Sequence, residues 1–251
     1  MIFWLLDEHM PDWDVDQPAF LNPVELLKLP GKRFAKRRVE WLHGRLAAKT
    51  LLQARHPDCQ GLPLTEILIA NAAGGAPFAS AASGTRLSGC ISISHSGLLA
   101  ACALTLDPQR QVGIDLERVE LRQADLFESY FTPRENAYVR RSPPEALQSV
   151  TTLIWSAKEA VLKALGIGLS LDTRQIEIEI INEGMPEAVQ TPADTDSAWR
   201  RFEVGVTASG QPWQWEGWWQ TYRDYILTLA VASQGNVSDQ GLGGEIPLQV
   251  G

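Results

Sequence analysis

Two apolar runs, GLLAACALTL (97–106) and DYILTLAVAS (224–233), each close a block containing a helix-forming segment and further strand-like segments. This loose internal echo splits the chain into residues 1–108 and 111–233. The split predicts an α+β fold of two similar halves, each a helix packed on a small antiparallel sheet. At 251 residues the chain is long enough for one sizeable domain or two small ones. From Gln234 to Gly251 the sequence is rich in Gly, Ser and Gln without any period, which predicts a disordered tail.

Within the first half, residues 2–6 read as a strand and 23–29 as a short helix ended by Pro30. FAKRRVEWLHGRLAAKTLLQARH (34–56) reads as a long helix stopping before Pro57. TEILIANAAGGAPFA (65–79) is a strand followed by a Gly/Pro turn. CISISHSGLLAACALTL (90–106) is a hairpin turning at His95-Ser96-Gly97. In the second half QVGIDLERV (111–119) is a strand, and 122–140 and 144–166 are helical around Pro143-Pro144. RQIEIEII (174–181) and parts of QPWQWEGWWQ (211–220) alternate at period two, and YILTLAVAS (225–233) ends the fold as a strand. The tryptophan-rich stretch forms a hairpin whose rings fill the core, or are exposed to hold a partner helix.

Composition narrows the class. A hydrophobic fraction of 45% with 21% charged residues suits a soluble globular protein. No apolar run approaches the ~18 residues of a membrane span, and MIFWLLDEH lacks the basic start of a secretory signal. Three cysteines (Cys59, Cys90, Cys102) without a CxxC pair point to buried thiols in a reducing compartment, the cytoplasm. The net charge of −8 is uneven. Residues 28–55 hold nine Lys/Arg against the single acid Glu40, while the rest of the chain holds 13 basic and 29 acidic side chains. A local basic patch on an acidic protein suits a specific anionic partner rather than nucleic acid at large. On the long helix Arg38, Arg45 and Lys49 fall within about 40° of one another, as a solvated face or a binding stripe.

Three constellations could carry chemistry. In VGIDLE the pleat places Asp115 and Glu117 on one strand face and Ile114 and Leu116 on the other. Paired carboxylates are either a solvated face or a hard-cation site, and Mg²⁺ takes a few carboxylates plus phosphate oxygens. In LIWSAKEAVLKALGIGL (153–169), Leu153, Ile154, Ala157, Ala160, Val161, Ala164 and Leu165 share an apolar arc of about 140°. Trp155, Ser156, Lys158, Glu159, Leu162 and Lys163 fill the opposite arc. Glu159 and Lys163 stand i,i+4 in the order that favours an ion pair. Trp155 and Leu162 flank them on what should be a wet face, which suits a cleft wall. In SISHS, Ile91 and Ile93 face the core and Ser92 and Ser94 face away, with His95 at the turn. Beside phosphates these hydroxyls and imidazole are useful donors.

SISHS, VGIDLE, FTPRE and WSAKEAVLKALGIGL, in that order, resemble the 4′-phosphopantetheinyl transferases. The likeness is to the longer, surfactin-synthetase-activating type, an intramolecular pseudo-dimer and monomer, strongest over 90–170. It implies Mg²⁺-dependent (or Mn²⁺-dependent) transfer of 4′-phosphopantetheine from coenzyme A to a serine of an apo carrier protein (acyl, peptidyl or aryl). 3′,5′-ADP is released. It implies Asp115, Glu117 and Glu159 as metal ligands and Lys163 as a pyrophosphate contact. Ser94, His95 and Arg45 are implied at the CoA phosphates, with Asp115 also facing CoA. Glu159 or a metal-bound water is the implied proton acceptor, and Lys158 has a supporting role. One departure stands out: Ala76 sits between Gly75 and Pro77 where the family often carries a cation, leaving Arg86 or the 32–38 cluster to supply it. The rival readings are a Mg²⁺-dependent CoA pyrophosphate hydrolase and a non-catalytic binder of CoA or carrier protein. Neither a Nudix-like glutamate box nor a GxxxxGK[ST] loop is present, which counts against the hydrolase.

Overall fold

The structure, a computed structural model, describes residues 1–8, 16, 18–32, 34–81, 83–120, 128–181, 199–207, 213–234 and 248–249. The chain divides into two compact units, residues 1–110 with 247–251 and residues 111–246.

In the first unit the elements are β1 (Ile2–Asp7), α1 (Pro23–Leu26), α2 (Ala35–Arg55), β2 (Ile67–Asn71), β3 (Pro77–Ala81), β4 (Cys90–Ser96) and β5 (Leu99–Thr105). β5 lies between β1 and β4, antiparallel to both, and β2 and β3 form a separate hairpin. Gly44, Ala47, Ala48, Leu51 and Leu52 recur at i, i+3, i+4, i+7 and i+8, and α2 buries this stripe. The core they share includes Ile67 and Ile69 of β2 and Ala100, Cys102 and Leu104 of β5. Every residue of β5 is buried. β4 departs from the simple alternation: Ser92 and Ser94 are buried as well, while Ile93 is only half-buried. A strand covered on both faces no longer sorts polar from apolar side chains by pleat. Leu248–Gln249, within the segment expected to be a structureless tail, pairs parallel with β1. Residues 235–247, also in that segment, lie outside the described ones.

The second unit holds β6 (which opens at Arg110 and ends at Arg118), α3 (Pro133–Arg141), α4 (Leu147–Leu165), β7 (Ile176–Ile180), β8 (Arg200–Val206), β9 (Trp213–Tyr222) and β10 (Tyr225–Gln234). Its sheet runs β6-β10-β9-β8-β7. The tryptophan-rich segment is β9, the first arm of the β9–β10 hairpin. Trp218 and Trp219 are buried, and Trp219 joins the core formed by α4, β7, Phe202 and β10. β8 was not anticipated; its WRRFEVGV stretch alternates weakly and carries two arginines at its start. The expected helix over 122–140 is interrupted: residues 121–127 lie outside the described ones, 129–132 are not helical, and α3 starts at Pro133, capped by Thr132. α4 ends where Gly166 takes the left-handed conformation, φ 68°, which costs little without a Cβ.

Both units contain the same buried clamp. In the first, Asn22 and Glu25 form a capping box on α1, and the Glu25 carboxylate accepts from the Ile69 amide at 3.1 Å. It also meets Lys49 Nζ of α2 at 2.5 Å, and that ammonium donates to the Phe20 and Leu64 carbonyls. In the second, Thr132 and Glu135 form the capping box on α3, and Glu135 accepts from the Ile178 amide at 2.8 Å. Glu135 meets Lys158 Nζ of α4 at 2.8 Å, and Lys158 donates to the Thr173 and Ile176 carbonyls. Lys49 and Lys158 are both 0% exposed. The helical-wheel reading that put Lys158 on a wet arc is therefore corrected. Two carbonyl oxygens and the Glu135 carboxylate, which is also its counter-charge, replace its water, the condition for burying an ammonium. Burial lowers the Lys158 pKa and Glu135 opposes that; burial likewise raises Glu135 against the pull of Lys158.

Removing one partner of such a pair leaves a buried charge uncompensated, at about 3–5 kcal/mol. Lys158→Met is therefore expected to lower urea-unfolding stability by about that amount. Glu135→Gln with Lys158→Met should cost clearly less than Lys158→Met alone. A double variant as unstable as the single one would contradict the pairing.

Candidate active site

The three carboxylates expected to act and Lys163 lie together in the second unit, where α4 lies against β6. The approach is close because residue 113 is glycine. A Cβ there would sit 1.8 Å from the Ala160 carbonyl oxygen and 2.6 Å from the Ala164 nitrogen. The small residues at 160 and 164 complete the contact, bringing the next inward residues of β6 within reach of α4.

Asp115 is 4% exposed and spanned by two donors from α4. Lys163 Nζ reaches Oδ1 at 2.6 Å, and Ser156 Oγ donates to Oδ2 at 2.8 Å. Ser156 Oγ also lies 2.8 Å from Thr228 Oγ1 of β10, and both hydroxyl residues are 0% exposed. Glu117 Oε1 accepts from the Trp155 indole N–H at 3.2 Å, and Trp155 packs edge-to-face on Tyr130, 5.4 Å between centroids. Lys163 thus turns to the strand carboxylate. Leu162, read as a cleft-wall residue, is instead a core side chain, 1% exposed.

Glu159 is half-buried, and its Oε1 is sealed from solvent with no hydrogen-bond partner among the described residues. Burial, then repulsion from Asp115, raises its pKa to about 7; Lys163 pulls it down, and Glu117 adds a further push up. This orphaned oxygen, flanked by two more carboxylates, has the donor chemistry of a hard divalent cation, which takes oxygen ligands and relieves such repulsion. Among the described residues, however, no three His, Cys, Asp or Glu side chains already surround a common point.

The remaining expected residues lie in the first unit. Arg45 is 7% exposed, stacked over the Trp41 ring at 3.7 Å and 3.6 Å from Glu25; burial, against the pull of Glu25, lowers its pKa to about 10. With Lys49 in the clamp, only Arg38 of the expected basic stripe remains outside the buried network; it pairs with Asp16. Ser94 is buried, and His95 is exposed with Nδ1 3.9 Å from Glu40. Arg86 is exposed and lies over the Phe78 ring. Sequence reasoning missed Ser156, Thr228, Glu135 and the packing role of Gly113. The signal for Glu135 was present, since T-P-R-E is a capping-box pattern.

Residues 111–230 match the family model described as the 4′-phosphopantetheinyl transferase superfamily. The 4′-phosphopantetheinyl transferase HetI of Nostoc sp. is 32% identical over 136 residues, covering 50% of this chain and 54% of HetI. A 4′-phosphopantetheinyl transferase of Bacillus subtilis is 30% identical over 92 residues, 37% of this chain and 40% of its own. The chain thus spans about half the length of these curated relatives, or less. A holo-(acyl-carrier-protein) synthase of Bacillus anthracis, solved with CoA (3′,5′-ADP), covers 50% of this chain and 96% of its own. Its TM-score of 0.39 and 15% identity are too slight a likeness to argue from.

Two predictions follow the geometry. Gly113→Ala should force α4 off β6, lowering the thermal midpoint and abolishing any activity that needs Asp115 beside Lys163. A variant with wild-type stability would show that the close approach is not needed. The second concerns Glu159, whose carboxyl rises from its ordinary 4.5 to about 7 in the folded protein. Between these limits the folded protein keeps a proton the unfolded chain has lost, so stability falls as pH rises from 4.5 to 7 and stays lower above. Metal-free Glu159→Gln should therefore melt above wild type at pH 8, with the gap closing below pH 4.5. Equal midpoints at pH 8 would contradict the raised value.

Proposed function

We propose that this protein is a 4′-phosphopantetheinyl transferase of the surfactin-synthetase-activating type, a monomer of two similar halves acting in the cytoplasm. It transfers the 4′-phosphopantetheine of coenzyme A to a serine of an apo carrier protein, with Mg²⁺ or Mn²⁺, releasing 3′,5′-ADP. The reading is carried by one observation: Asp115, Glu117, Glu159 and Lys163 gather on β6 and α4, within the segment matched by the family.

Asp115, Glu117 and Glu159 would hold the cation, which supplies charge neutralisation at the CoA pyrophosphate. Lys163 is 27% exposed and already bound to an anionic oxygen. It can exchange part of that contact for a phosphate oxygen and stabilise charge as the leaving group departs. Glu159 is the carboxylate that would accept the proton of the attacking serine. His95, exposed at the end of β4, supports a CoA-phosphate contact better than buried Ser94 and Arg45, which stand in this proposal with less to present.

Incubation with CoA, Mg²⁺ and a panel of apo carrier proteins should add one phosphopantetheine mass to at least one carrier. Asp115→Ala and Glu159→Ala should each abolish that transfer while the protein stays folded by circular dichroism. CoA cleavage without a carrier would support a hydrolase instead, and CoA binding without turnover a non-catalytic binder.

A further inference from the structure

Asp115 is held on its two oxygens by groups of different character. Oδ1 faces Lys163, whose side chain is 27% exposed. Oδ2 faces Ser156, and behind Ser156 stands Thr228, both fully buried. An ionised Asp115 only accepts, so the Ser156 proton points to Oδ2. Ser156 Oγ then has lone pairs left, and the Thr228 hydroxyl is the group placed to fill one. The carboxylate therefore orients both hydroxyls in sequence, Thr228 to Ser156 to Asp115, and each donation polarises the next. The relay crosses three elements: β10 carries Thr228, α4 carries Ser156 and β6 carries Asp115.

We infer that Ser156 and Thr228 are positioning residues that tie Oδ2 of Asp115 permanently, leaving Oδ1 as the oxygen that exchanges its ammonium partner for a divalent cation. This rests on the reading of Asp115 as a metal ligand. Donors behind a ligating group fix its direction, and their loss typically weakens metal affinity or activity about 10- to 100-fold. Because Thr228 stands behind Ser156 in the relay, its hydroxyl should matter only while Ser156 is present.

The test measures Mn²⁺ alone binding to the full-length protein by electron paramagnetic resonance, with turnover as a second readout. Ser156→Ala should weaken Mn²⁺ binding about 10- to 100-fold. Thr228→Val, which keeps shape without the hydroxyl, should weaken it less, and Thr228→Ser should bind as wild type. The double variant Ser156→Ala/Thr228→Val should bind no more weakly than Ser156→Ala, and excess Mg²⁺ should restore kcat to both single variants. Asp115→Asn separates the two readings. If it loses Mn²⁺ while Ser156→Ala and Thr228→Val bind normally, the positioning role is wrong and the metal reading stands. If Asp115→Asn binds Mn²⁺ as wild type, the metal reading fails and this inference with it. Should Ser156→Ala fail to fold, the contrast of Thr228→Val with Thr228→Ser decides: equal Mn²⁺ affinities overturn the relay.

Discussion

The ion pair between Glu135 and Lys158 is the constraint on which the candidate site depends. A buried ammonium tolerates few positions, because each of its hydrogens needs an acceptor once water is gone. Glu135, itself fixed by the α3 cap and the Ile178 amide, and the carbonyls of Thr173 and Ile176 supply them. Pinning residue 158 fixes the rotation of α4 about its axis. At 100° per residue, Glu159 and Lys163 then fall within about 40° of each other. Gly113 sets the remaining coordinate, the distance from helix to strand. Rotation and distance together bring Lys163 and Ser156 onto Asp115.

The same clamp in the first unit shows what is scaffold and what is chemistry. Counted from the clamp lysine, Thr50 and Ala54 of α2 occupy the places of Glu159 and Lys163 of α4. The first unit therefore repeats the helix anchor without the acid and cation that follow it. In place of that pair, α2 carries Arg45 stacked on Trp41 and tied to Glu25, and His43 3.4 Å from Asp7. Chemistry differs between the units while the anchor persists, because the anchor is a stability requirement of a helix carrying a buried lysine.

Much of this was legible in advance. The long helices, the two hairpin-closing apolar strands and the carboxylate pair of VGIDLE all follow from period and composition. The repeated anchor was legible too but unread: N-P-V-E and T-P-R-E precede their lysines by 24 and 23 residues, and Ile69 and Ile178 follow those lysines by 20 each. What misled was the helical wheel. It treats one arc as buried and the other as wet, whereas α4 is covered on more than one side, burying Ser156, Lys158 and Leu162 along with the apolar arc. The same assumption turned Arg45 and Lys49 into a basic stripe.

By itself the sequence determined which residue types could do chemistry and on which elements they lie, since periodicity and motif spacing are local properties. It also determined that α4 ends at Gly166, whereas the Thr132 cap of α3 lies inside the stretch that reads as one helix over 122–140. Only the tertiary structure decided which charges are spent on holding the fold and which remain for a substrate. Lys158 and Lys163 are five residues apart on one helix. One is neutralised by a glutamate 23 residues upstream, the other meets an aspartate 48 residues upstream at the edge of solvent. Burial and partner choice are long-range quantities, set by which strand a helix face meets, and no local pattern contains them.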